Sequence, residues 1–102
     1  MNPQDFAINQ RREGKSAAQA AAALKQAYGV TAQEAAKLLK GAGYAANEVA
    51  EAMKTVFNFT VEQTETVLTA VGYAANEVAS AMKSVFGWIK TNPLAPLDPR
   101  RW

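Results

Sequence analysis

Residues 43–57 read GYAANEVAEAMKTVF and residues 72–86 read GYAANEVASAMKSVF, two copies 29 residues apart that differ only at Glu51/Ser80 and Thr55/Ser84. A unit this short cannot bury its own apolar face, so it folds only by packing on its neighbours. Close self-similarity at such a period marks a repeat array.

The period divides again. Ser16…Gln19, Thr31…Glu34, Ala45…Glu48, Thr60…Gln63 and Ala74…Glu77 begin at intervals of 15, 14, 15 and 14 residues. Each is a small or hydroxylated residue followed three positions later by Glu or Gln. Where the first member is Ser or Thr this is a capping box: the hydroxyl accepts from the third helical amide, and the long side chain reaches back to the cap amide. At Ala45 and Ala74 the hydroxyl is missing, which costs about 1 kcal/mol per helix. Glu48 and Glu77 still favour the positive helix start.

The segments also end alike. Gly29-Val30, Gly43-Tyr44, Asn58-Phe59, Gly72-Tyr73 and Gly87-Trp88 each pair Gly or Asn with a large apolar residue. Gly or Asn suits a left-handed residue after a helix, and the apolar residue packs back on the helix it leaves. The same residue precedes the next cap and is placed to staple onto that helix, Tyr44 with Val49 and Tyr73 with Val78. Links this short make consecutive helices neighbours.

Counting the cap as position one, positions 2, 5, 9 and 12 are apolar almost throughout, as in Ala46, Val49, Met53 and Val56. These steps trace one helical face, the expected core. Thr64 is the exception at a fifth position. Position ten holds Lys25, Lys40, Lys54 and Lys83, which the pattern directs to water. Two helix types alternate. Those starting at Ser16, Ala45 and Ala74 end in Tyr28, Phe57 and Phe86. Those starting at Thr31 and Thr60 carry Gly43 or Gly72 there and place Leu38 or Val67 earlier, so large faces small.

The N-terminus reads as a degenerate unit. Asn2 is placed to cap, Pro3 suits the first helical position, Asp5 lies in the first turn and Gly14 ends the segment. Gln10, Glu13 and Lys15 are polar where other units are apolar, as a terminal unit requires. The expected fold is therefore all-α, with short helical-hairpin repeats (period 29, half-repeat 14–15) in a compact stack or small α-solenoid. Five regular helices and a short N-terminal one make hairpins over about 1–29, 30–58 and 59–87. The helical repeat domain is 1–88, with its degenerate unit at 1–15 and its repeats at 16–87. Residues 89–102, IKTNPLAPLDPRRW, form a Pro-rich tail whose Pro93, Pro96 and Pro99 exclude helix and favour an extended course.

Composition narrows the chemistry. The 102 residues include neither Cys nor His, which removes disulfides, thiol and imidazole catalysis and the common zinc ligand sets. A net charge of +2, with Arg11-Arg12 and Arg100-Arg101 at opposite ends, does not make a nucleic-acid surface. No secretory signal and no membrane-length apolar run is present, so the default expectation is a cytoplasmic protein or part of a larger assembly. Glu48/Glu51 and Glu62/Glu65 each share a helix face, yet neither pair has a partner base or a second matching pair. Gly41–Tyr44 is Gly-rich but lacks the Lys and Ser/Thr of a phosphate loop, and helix termination accounts for both glycines. No nucleophile constellation exists, so the sequence predicts no catalytic, cofactor-binding or metal-binding residue, no small-molecule substrate and no enzyme.

What remains is surface. Tyr44, Phe59, Tyr73 and Trp88 sit at the corners between helices. They either staple the corners or form an aromatic row along one edge. With Leu94, Leu97 and Trp102 of the tail they are the candidate interaction residues. Almost every position of the GYAANEVA stretch has a structural assignment; Asn47 and Asn76 have none.

Two resemblances bear on this. Over Thr31–Val71, a helix followed by Ala42-Gly43-Tyr44 and two further short helices is similar to the ubiquitin-associated three-helix domain, and the pattern recurs from Thr60. In that family a Met-Gly-Phe or Met-Gly-Tyr loop contacts ubiquitin; here Ala42 and Val71 stand in place of the Met. Over residues 16–87 the tandem pattern resembles short helical-hairpin repeats of large bacterial secreted, toxin-like and surface proteins, which implies a scaffold or spacer. The expected function is a non-enzymatic protein–protein interaction or assembly module that self-associates, with the tail docked on the array or on a neighbour. A membrane-active or toxin-associated helical module is the alternative, because short amphipathic helices with Lys on the polar face can lie on bilayers.

Overall fold

The computed structural model describes residues 2–87. Among these it is all-helical and holds no strand: α1 (Pro3–Arg12), α2 (Ala17–Tyr28), α3 (Ala32–Gly41), α4 (Ala46–Val56), α5 (Val61–Ala70) and α6 (Ala75–Phe86). Trp88 and the tail 89–102, with Leu94, Leu97 and Trp102, lie outside the described residues.

Each helix starts where its cap residue places it. The Ser16 hydroxyl accepts from the Gln19 amide while the Gln19 side chain accepts from the Ser16 amide. Thr31 with Glu34 and Thr60 with Gln63 repeat this exchange. At Ala45 and Ala74 only half of it survives: Glu48 and Glu77 accept from the cap amides at 2.8 and 2.9 Å. Asn2 caps α1 through the Asp5 amide at 2.8 Å, with Pro3 at the first helical position. At 10 residues α1 matches α3 and α5 in length, so the N-terminal helix is not the short one the sequence suggested.

The helices also stop as their corner residues dictate. Gly43 and Gly72 take φ of 101° and 106°, values that a side chain would strain. Asn58 holds the same role at φ 57°, the one non-glycine with positive φ among the described residues. The amide after each turn then reaches back, Tyr44 to the Leu39 carbonyl and Tyr73 to the Leu68 carbonyl, both at 3.1 Å. This 6→1 bond satisfies a carbonyl that the helix end leaves open.

Successive helices pack on each other, and alternate helices also pack: α2 on α4 and α4 on α6 most extensively, α1 on α3 and α3 on α5 beside them. The core runs between these two series. Position nine is fully buried in the last five helices, as Leu24, Leu39, Met53, Leu68 and Met82, and position five is buried as Ala20, Ala35, Val49, Thr64 and Val78. The outer stripe positions behave differently from expectation. Position twelve is only half-buried at Ala42, Val56, Val71 and Val85, and position two is buried at Ala17 and Ala46 but exposed at Ala75.

Gly41 is the last residue of α3, and a Cβ there would come within 2.6 Å of the amide oxygen of the flexible Gln4 side chain. Gln4 occupies that place because its side-chain nitrogen donates to the Leu38 carbonyl at 3.1 Å, tying α1 to α3.

Candidate functional site

The two corner tyrosines face inward. Tyr44 and Tyr73 are only 4% and 9% exposed, and Phe59 is half-buried against the core. Of the two arrangements the sequence allowed, an exposed row is therefore absent at both tyrosines. Each phenol is instead a long-range tie. Tyr44 donates to the Lys15 carbonyl at 2.7 Å and Tyr73 donates to the Tyr44 carbonyl at 2.6 Å. Lys15, Tyr44 and Tyr73 are the same corner in successive hairpins, so each hydroxyl fastens its corner to the one before. These carbonyls precede a helix cap and have no helical partner, which makes the phenol their natural donor.

Burial has an electrostatic consequence. The Tyr73 phenol is pushed up from 10.0 to about 12, first by desolvation, then by the carboxylates of Glu77 and Glu48. Tyr44 is also raised, by burial and then Glu48, while Arg11 opposes the shift. A hydroxyl that donates in a dry site resists losing its proton.

Lys25, Lys40 and Lys54 are exposed as the pattern directs, and each also lies over a ring. Lys25 is 5.5 Å from the centre of Phe57 and Lys54 is 5.5 Å from that of Phe86. In the other series Arg11 sits 5.9 Å from the Tyr44 ring and Lys40 5.6 Å from the Tyr73 ring. In all four pairs a cation of one hairpin covers an aromatic of the next, a contact worth about 0.5–1 kcal/mol at exposed sites. Lys54 adds a bond to the Val85 carbonyl at 3.1 Å. The sequence hid these pairs because they join residues 32 or 33 apart, far beyond helical spacing.

Two kinds of surface recess remain. One runs across α2, α4 and α6 and has a volume of about 390 Å³ between α4 and α6, with Asn47, Asn76, Ser80 and Ser84 in its walls. It continues to Ser16 and Glu51. Asn47 and Asn76, which had no structural assignment, belong to this groove. Its walls are mainly amides, hydroxyls and alanines, with Glu51 and Val85 at its α2 end, and the Glu48 and Glu77 carboxylates are engaged by their own cap amides. The other kind lies on the opposite series: Val30 and Leu38 line one hollow, Phe59 and Val67 the corresponding one. Among the described residues no three potential metal ligands cluster, and no helix is long and apolar enough to cross a membrane.

No protein-family model, curated protein or solved structure matches the chain.

Proposed function

We propose that this chain is a non-enzymatic protein–protein interaction and assembly module, a small α-solenoid of three hairpins that associates with copies of itself, with residues 89–102 docking on the array or on a neighbour. The observation that carries the reading is the reuse of one interface. Lys25 over Phe57 recurs as Lys54 over Phe86, and the Tyr44-to-Lys15 bond recurs as Tyr73-to-Tyr44. One hairpin is thus a ready-made partner for another. The recesses support the same reading, because they are open and spaced with the repeat rather than gathered into one pocket.

Light scattering on the full chain and on a chain ending at Trp88 tests it. The full chain is expected to exceed monomer mass, and loss of residues 89–102 to change the assembly or release a bound partner. A strictly monomeric full chain with no tail-dependent partner would contradict the reading.

A further inference from the structure

We propose that residues 89–102 lie back along the exposed alanine face of α6 in the same chain and close that end of the stack. This rests on the tail-docking part of the reading above and names its surface.

The face is defined by equivalent positions. Ala17 and Ala21 of α2 and Ala46 and Ala50 of α4 are buried, whereas their equivalents on α6, Ala75 and Ala79, are exposed. The sequences of α4 and α6 are nearly identical, so composition does not account for the difference. What α2 and α4 have, and α6 lacks among the described residues, is a following pair of helices packed against them. Lys83 marks the same gap. Lys25 and Lys54 lie over Phe57 and Phe86, rings of the next hairpin, while Lys83 at the equivalent position has no ring beneath it among the described residues.

The chain leaves α6 on a course it has already used. Gly87 holds φ 67° and ψ 22° with its amide on the Lys83 carbonyl at 3.0 Å. Gly29 holds φ 66° and ψ 31° with its amide on the Lys25 carbonyl at 2.9 Å. From Gly29 the chain passes into α3, which packs on α2. The same exit at Gly87 directs the chain to the uncovered side of α6. Pro93, Pro96 and Pro99 prevent another helix there, so an extended segment takes its place.

Reach and chemistry suit the face. From Gly87 back to Ala75 the helix rises about 18 Å. An extended Pro-rich segment rises about 3.1 Å per residue and carries every third residue on one edge, which aligns Leu94 with Leu97. Allowing about three residues for the turn at the corner, Leu94 comes level with Ala79 and Leu97 comes near Ala75. Alanines let such an edge approach the helix closely. The tether supplies this segment at an effective concentration of about millimolar, which favours it over a second copy.

Thiol protection tests the proposal in the full chain. The chain has no cysteine, so Leu94→Cys provides a single thiol for the neutral reagent N-ethylmaleimide. Its labelling is expected to be at least about tenfold slower than in the urea-unfolded chain, and equally slow on dilution through the micromolar range. Adding Ala79→Glu forces a charge into the contact and is expected to restore most of the unfolded rate. Adding Ala22→Glu, on α2, is expected to leave the slow rate unchanged. Ala22 and Ala79 are both exposed on helices, and circular dichroism verifies that the fold is kept. A fast thiol without either glutamate, or equal effects of the two glutamates, would overturn the proposal. Protection lost on dilution would overturn docking within one chain and leave the self-association reading standing. Light scattering on the same samples reports that reading separately: a protected thiol in a particle of one-chain mass would uphold the docking and overturn self-association.

Discussion

Tyr73 shows how one residue joins sequence, packing and pH response. Its amide closes α5, its ring lies under Lys40, and its hydroxyl holds the Tyr44 carbonyl. Because its folded-state pKa rises from 10.0 to about 12, the folded protein keeps a proton that the unfolded chain loses first. The associated stability is fully present below about pH 10 and is lost as pH rises toward 12. Tyr73→Phe removes one hydrogen bond, an expected loss of about 1 kcal/mol at neutral pH. It also flattens the alkaline fall, leaving the part due to Tyr44. Urea titrations from pH 7 to pH 11 check both effects; an unchanged alkaline limb would remove Tyr73 as its source. Thr64 is the converse case. It is fully buried, and its hydroxyl has no hydrogen-bond partner among the described residues. Thr64→Val keeps the shape and removes the orphaned oxygen, so thermal melts are expected to show a gain of about 1 kcal/mol.

The element scale was the most legible. Asn2, Ser16, Thr31, Ala45, Thr60 and Ala74 all stand at helix N-caps as read from the chain. Caps and stops are local: a hydroxyl and an amide three residues apart, or a residue that tolerates positive φ. The half-boxes at Ala45 and Ala74 leave room for improvement. Both residues are exposed, so Ala45→Ser and Ala74→Ser are each expected to add about 1 kcal/mol, with near-additive effects in the double variant. Asn58, held at φ 57°, tests the stops. Asn58→Ala is expected to lose about 1–2 kcal/mol and Asn58→Gly to lose nothing. Equal loss in both would mean that the Asn58 side chain, not its backbone, matters.

At the scale of the molecule, the sequence was legible only where neighbouring units repeat the same local problem. It could not reveal that Lys25 and Lys54 cover rings, that Tyr44 and Tyr73 reach back one whole hairpin, or that Asn47 and Asn76 share a groove. Those relations depend on how hairpins sit on one another, and no local spacing encodes them. They also shift the functional emphasis. The corner tyrosines, candidates for an exposed surface, are spent on joining hairpins. The proposed self-association predicts a mass that grows with concentration. Small-angle X-ray scattering over a concentration series measures it directly: the forward scattering per unit concentration rises as the chain is concentrated. Forward scattering that stays at the value of one chain throughout would contradict it.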